Sequence, residues 1–171
     1  MHSHEANALS AWIVLAGHAA EQAQREAGPL PARGLAALVL VDNHPACTID
    51  WLHRRLGITH SGTVRLLDRL ESLDLVTRIR GQGRREVALH LTADGRDRLR
   101  CGLAARSAAL ASMVAPLAPA EQAQLIALIG RAMAGGRRRR EQADVACCLC
   151  DWQACRPDCP LDASVVDDPA V

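Results

Sequence analysis

The chain is 171 residues long and nearly neutral, with 20 basic residues against 19 acidic ones, and it contains no Phe, no Tyr and no Lys, so every basic side chain is an arginine. That length allows one domain, or one domain and a tail, with a core of Leu, Val, Ile and Ala around Trp12 and Trp51. The sequence shows no signal peptide and no apolar run of membrane length, which predicts a cytoplasmic protein without a membrane partner; in that reducing setting seven cysteines point to metal or redox chemistry before structural disulfides.

Residues 5–27 read as a helix with Leu9, Trp12, Ile13, Leu15 and Ala16 on its apolar side. Gly28-Pro29-Leu30-Pro31 breaks it. Residues 33–43 are nearly all apolar and predict a buried helix that ends at His44-Pro45. Thr48 can cap a helix over 49–56, where Ile49, Leu52 and Leu56 support the next helix across a turn at Gly57. Trp51, His53, Arg54 and Arg55 lie off that line.

The central stretch is residues 57–85. Ser61 is a candidate N-cap, and Val64, Leu67, Leu70 and Leu73 recur at helical spacing with Leu66 beside them. A helix that enters the major groove reads bases mainly with its N-terminal residues, which aims Thr59, His60, Ser61, Thr63, Arg65 and Arg69 at DNA. Two strands follow, with Val87, Leu89 and Leu91 on one face and Gly81-Gln82-Gly83 between them. Arg78, Arg80, Arg84 and Arg85 crowd this hairpin. Four guanidinium groups repel one another unless an anion lies close, and a phosphate backbone supplies it.

After the hairpin, Thr92 caps a helix to about residue 114, carrying Leu99, Leu103, Leu110, Met113 and Cys101. Pro116 and Pro119 break it, and residues 120–134 form another helix before Gly135-Gly136. The charge is uneven along the chain. Residues 54–100 hold eleven arginines against six carboxylates, whereas 141–171 hold Arg156 against seven. A basic centre and an acidic tail suit a DNA-binding face kept apart from a second function.

The motifs Ile58-Thr59-x-Ser61, Asp68-Arg69-Leu70-Glu71, Leu75-Val76-x-Arg78, Arg84-Arg85 and Leu91-Thr92-x-x-Gly95 resemble the core of the MarR family of bacterial transcription regulators. Asp74 stands where that family usually has Gly; Asp tolerates a left-handed backbone, so the turn survives. Gly83 replaces an Asp that would orient the wing arginines. The resemblance implies a mainly α (α+β) fold: a winged helix-turn-helix with N- and C-terminal dimerisation helices. It implies a homodimer on double-stranded DNA, with two recognition helices on a pseudo-palindromic operator. The expected organisation is a dimerisation helix (1–30), the winged helix-turn-helix (31–92), C-terminal dimerisation helices (93–136), and a basic linker with a cysteine-rich tail (137–171).

The tail departs from a plain family member. Cys147, Cys150, Cys155 and Cys159 are spaced to supply four thiolates to one centre, with Cys148 as a substitute for Cys147. Both zinc and an iron–sulfur cluster take four cysteines, and Cys159-Pro160 is similar to the closing pair of ferredoxin motifs. The need for a reversible input tilts the choice toward the cluster; a bare thiol switch is the third option. The expected function is a DNA-binding regulator, acting as a repressor, whose tail modulates DNA binding through its contacts with the dimer helices. The alternatives are a regulator that senses a small apolar ligand, with structural zinc in the tail, and a thiol oxidoreductase using Cys147 and Cys150. No hydrolase constellation or nucleotide loop is present, so no enzyme is expected.

Overall fold

The computed structural model describes residues 3–80, 87–155 and 158–166. The wing turn with Arg84 and Arg85, and the side chain of Arg80, lie outside the described residues. The elements are α1 (His4–Ala27), α2 (Gly34–Asn43), α3 (Ile49–Leu56), α4 (His60–Ser72), β1 (Val76–Arg80), β2 (Val87–Leu91), α5 (Ala93–Val114), α6 (Pro119–Ala134), α7 (Arg140–Cys147) and α8 (Trp152–Cys155), followed by a 3-10 turn (Asp162–Ser164).

The core sits where α2 is enclosed by α3, α4, α5 and the hairpin. Leu35 to Val41 are buried on every side, as expected of a helix with no polar face. Helix α3 ends at Gly57, whose φ of 63° reverses the chain into α4 at a position where a side chain would strain the backbone.

Thr59, not Ser61, caps α4: its hydroxyl accepts from the Gly62 N–H at 3.1 Å, so the helix starts two residues earlier than the Ser61 reading placed it. The buried face is therefore Thr63, Leu66, Leu67 and Leu70, while Val64 is half-buried and Leu73 is exposed. The difference is one of rotation about the helix axis. Thr63 and Val64 are nearly isosteric, and the Thr hydroxyl is satisfied internally by donating to the Thr59 carbonyl at 3.2 Å.

The strands pair antiparallel with Val76 opposite Leu91 and Arg80 opposite Val87. Leu89 also exchanges backbone hydrogen bonds with Ala46 and Cys47, which ties the loop before α3 to the sheet. Asp74 has a φ of 56°, the left-handed turn expected of it. Thr92 closes this corner twice: its hydroxyl donates to the Asp74 carbonyl at 2.6 Å and accepts from Gly95 N–H at 2.9 Å.

Helix α1 packs along α5. It buries only Ala20 and leaves Leu9, Trp12, Ile13, Val14 and Leu15 exposed. Helix α6 buries no residue and exposes Ile126 and Leu128. Among the described residues no single helix is long and apolar enough to cross a membrane, and α5 and α6 meet at 115°.

Candidate nucleic-acid interface and cysteine site

The winged element presents two kinds of arginine. Ser61, Arg65 and Arg69 lie four residues apart on one exposed face of α4, opposite the buried Thr63, Leu66 and Leu70. His60 stands at the start of that helix, exposed, with its ring 5.7 Å from that of His53. Thr59 is exposed but spends its hydroxyl on the cap. Arg65 and Arg69 have no ion-pair partner among the described residues, so their charge is free for an anion.

Arg78 is the other kind. Its guanidinium donates to Asp68 at 2.7 Å, to Glu71 at 3.1 Å and to the Val64 carbonyl at 3.3 Å. It fastens β1 to α4 and is already neutralised by two carboxylates. Arg78, expected among the phosphate-seeking arginines, is thus engaged within the protein, and Asp68 and Glu71 of the central motif have a mechanical role. The expectation for Thr63 is corrected: at 0% exposure it cannot touch DNA.

The tail folds into a unit of its own, and this is what the sequence least foretold. Arg138 and Ser164 are joined by a backbone bond from the Arg138 N–H to the Ser164 carbonyl and by a guanidinium contact to the Ser164 hydroxyl, at 3.0 and 3.1 Å. Arg140 pairs with Asp162 at 2.8 Å. The run 137–140, read as a linker, thus clasps the two ends of the unit together. Arg140 ordinarily titrates high and is held higher still by its hydrogen bond to Asp162.

Between these clasps, Cys147, Cys150, Cys155 and Cys159 line one cavity of about 20 Å³ with Arg140, Trp152 and Asp162. These are the four residues the spacing singled out. All are free thiols. Cys147 lies in hydrogen-bond contact with Cys150 and Cys159. Its hydrogen bond holds Cys150 down at about 7, against the opposing pull of burial, and pushes Cys147 up. Burial and the neighbouring Cys159 raise Cys155 to about 11. The thiols stand at hydrogen-bond spacing from one another; among the described residues no three ligands are already drawn to coordination distance of a common point. Cys148, read as a substitute for Cys147, does not line this cavity; it is 5% exposed and belongs to the main hydrophobic core.

The cysteine unit docks on the helix-turn-helix, not on a distant surface. Arg55 Nε donates to Asp144 Oδ2 at 2.7 Å, with Asp144 1% and Arg55 8% exposed. The Arg55 guanidinium lies 3.9 Å over the Trp51 ring and also donates to the Trp51 carbonyl at 3.3 Å. Trp152 donates its indole N–H to the Cys147 carbonyl at 3.0 Å, and its ring meets His44, which in turn meets Trp51. Sequence reasoning left Arg55 on the surface because helical periodicity marks apolar faces and is blind to an arginine whose partner lies 89 residues away. The signal it could have used was Asp144, an acid in an otherwise short amphipathic segment.

Cys47 and Cys101 stand outside this unit. Burial pushes Cys47 up to about 11, while Cys101 is exposed on α5. Since the thiolate is the nucleophile, Cys47 stays neutral and inert well above neutral pH. With iodoacetamide at pH 8, mass spectrometry is expected to find Cys101 alkylated and Cys47 intact, with Cys47 labelling rising only as pH approaches 11.

A model of the MarR family matches residues 30–85. The chain is similar in structure to RV1404 from Mycobacterium tuberculosis, with 29% identity over 80% of this chain and 97% of that one and a TM-score of 0.68. It is also similar to a MarR family protein from Bacillus stearothermophilus, at 20% identity over 77% and 94% with a TM-score of 0.64. The transcriptional repressor CouR, whose structure is bound to a 23-mer DNA duplex, shares the fold at 23% identity over 72% and 88%, with a TM-score of 0.59. No curated protein matches the chain.

Proposed function

We propose that this chain, which a model of the MarR family matches over residues 30–85 and which has the fold of solved MarR family structures, is a cytoplasmic, homodimeric repressor whose α4 reads duplex DNA and whose cysteine unit binds a thiophilic metal that adjusts DNA binding. The observation that carries the DNA reading is the exposed row Ser61, Arg65, Arg69, whose two guanidiniums have no ion-pair partner among the described residues; in the sequence Arg80, Arg84 and Arg85 add to the positive charge. Dimerisation is supported by the apolar residues that α1 and α6 leave uncovered. Two copies of α4 would then meet pseudo-palindromic half-sites about one helical turn apart.

For the metal, the donor set is four thiols on one cavity, held in a unit with few buried apolar residues of its own. A segment shorter than about 40 residues usually needs a staple to hold its shape, and a metal supplies one. Bound there, Cys147, Cys150, Cys155 and Cys159 would be its ligands as thiolates, with Arg140 close by to offset their charge. Zinc takes four thiolates in a closed site, and a single ion is the smallest occupant such a cavity can take. Drawing the thiols together requires the Cys147–Cys150 hydrogen bond to give way as both lose their protons.

Two substitutions test the DNA reading by fluorescence anisotropy at several salt concentrations. Arg65→Ala is expected to relax sequence preference, losing about 1–3 kcal/mol of discrimination at one base pair. Arg85→Ala is expected to weaken binding to every sequence and to lower the salt slope by about 1. Unchanged affinity of Arg85→Ala at low salt would remove the wing from the interface.

A further inference from the structure

We infer that the cysteine unit acts on DNA binding through α7 and α3 of its own protomer, with Asp144, Arg55 and Trp51 as the positioning residues of that link. This rests on the thiolate metal site proposed above and names the route by which it regulates. The route is contiguous. Cys147 ends α7, and Asp144 lies one turn before it on the same helix. Arg140, at the start of α7, lines the cavity and sits 3.6 Å from the second carboxylate oxygen of Asp144. Asp144 holds Arg55, and Arg55 is stacked on Trp51, so two side chains of α3 are gripped by the unit. On its other side α3 packs against α4, with Leu52 and Leu56 in the core shared with Leu67 and Leu70. The far end of that helix pair is the exposed row at Ser61 and Arg65.

Gathering four thiolates about one ion fixes the C-terminal end of α7 and Trp152, the two parts that bear on α3 and His44. A fixed α7 holds α3, and α3 sets the seat of α4. Loss of the ion frees α7, so the helix-turn-helix loses a support that a DNA-bound state needs ordered. The unit also faces α5 across a cleft lined by Arg96, Arg100 and Ala104 and α1 across one lined by Glu21, Arg25 and Leu149, and it touches α6, where Pro160 approaches Gly130 and Arg138 donates to the Met133 carbonyl. Those neighbours are the competing route, through the uncovered helices, and the experiment separates the two.

Full-length protein is stripped under reducing conditions and reloaded with Co(II), to read thiolate coordination from its absorption band, or with Zn(II), to measure affinity for a duplex selected by the wild-type protein from a randomised library. The variant replaces the pair together, Arg55→Met with Asp144→Leu, so that no buried charge is orphaned. The expected result is about tenfold tighter DNA binding on zinc loading in the wild type, falling below about twofold in the variant while its Co(II) band is unchanged. In the wild type, hydrogen exchange is expected to show zinc-dependent protection over residues 49–56. A variant that keeps the full tenfold response overturns the inference, as does protection confined to α1 and α6, or a wild-type response that is absent or reversed. Absence of the Co(II) band in the wild type removes the metal site itself, and the inference with it.

Discussion

Asp144→Ala is expected to unseat the cysteine unit from the helix-turn-helix. The substitution leaves Arg55 charged, 8% exposed and without its one close carboxylate, since Glu141 lies 4.0 Å away and is half solvated. Orphaning one member of a buried pair costs about 3–5 kcal/mol. The cost stops at the free energy of docking, because an undocked α7 lets water reach Arg55. The expected phenotype is thus local: trypsin cuts rapidly within residues 137–140, and Cys148, buried in the intact chain, becomes open to alkylation. The double substitution Arg55→Met with Asp144→Leu orphans no charge, so it is expected to be cut and alkylated more slowly than Asp144→Ala, although the hydrogen bond that orients α7 on α3 is gone. Equal protection of wild type and Asp144→Ala would show that the pair does not hold the unit.

Gly95→Ala is expected to cost about 3 kcal/mol, at the upper end for overpacking. A Cβ at Gly95 would overlap the Leu75 carbonyl oxygen, a backbone atom that cannot swing aside. The start of α5 would have to lift off the entry to β1, breaking the Thr92 bonds to Asp74 and Gly95 that close the corner. In a chain of this length the melting temperature falls by about 6–12 °C for such a loss. Thr92→Ala removes only the hydroxyl contacts and is expected to cost about 1 kcal/mol. If Gly95→Ala melts no lower than Thr92→Ala, the close approach is not what the motif protects.

These two substitutions also mark how far local pattern carries. Thr92 was legible because a cap is local; Gly95 entered only through the family motif, since its close approach to the Leu75 carbonyl joins segments distant in the chain. Asp74 was legible for the same reason as Thr92, as a left-handed turn residue. The four cysteines were legible by number and spacing, and the structure places them on one cavity. Cys148 was not separable from Cys147, because neighbouring residues on a helix end differ only in direction, and direction is set by what the helix packs on.

Arg78 shows the other limit. As one of four hairpin arginines it looked like a phosphate contact, yet Asp68 and Glu71 claim it across the α4–β1 interface. Thr63 and Val64 show the same limit within one helix: both fit a half-apolar pattern, and a rotation of one residue decides which is buried. The tail does bear on the C-terminal helices, since Arg138 donates to the Met133 carbonyl of α6 and Pro160 approaches Gly130, but the buried ion pair it makes with α3 was not legible in the sequence.

What the sequence determined by itself is the order of the elements as far as α6, the winged helix-turn-helix at their centre, the turns at Gly57 and Asp74, and the four thiols of the tail. Each depends on residues within a few positions of one another, where backbone preference and side-chain period act directly. What only the tertiary structure decided is which arginines are spent and which are free, and where the cysteine unit rests. Those depend on pairings such as Arg55 with Asp144 and Arg78 with Asp68, whose strength comes from excluding water between segments distant in the chain. No local pattern carries that information, because burial is a property of the assembled fold.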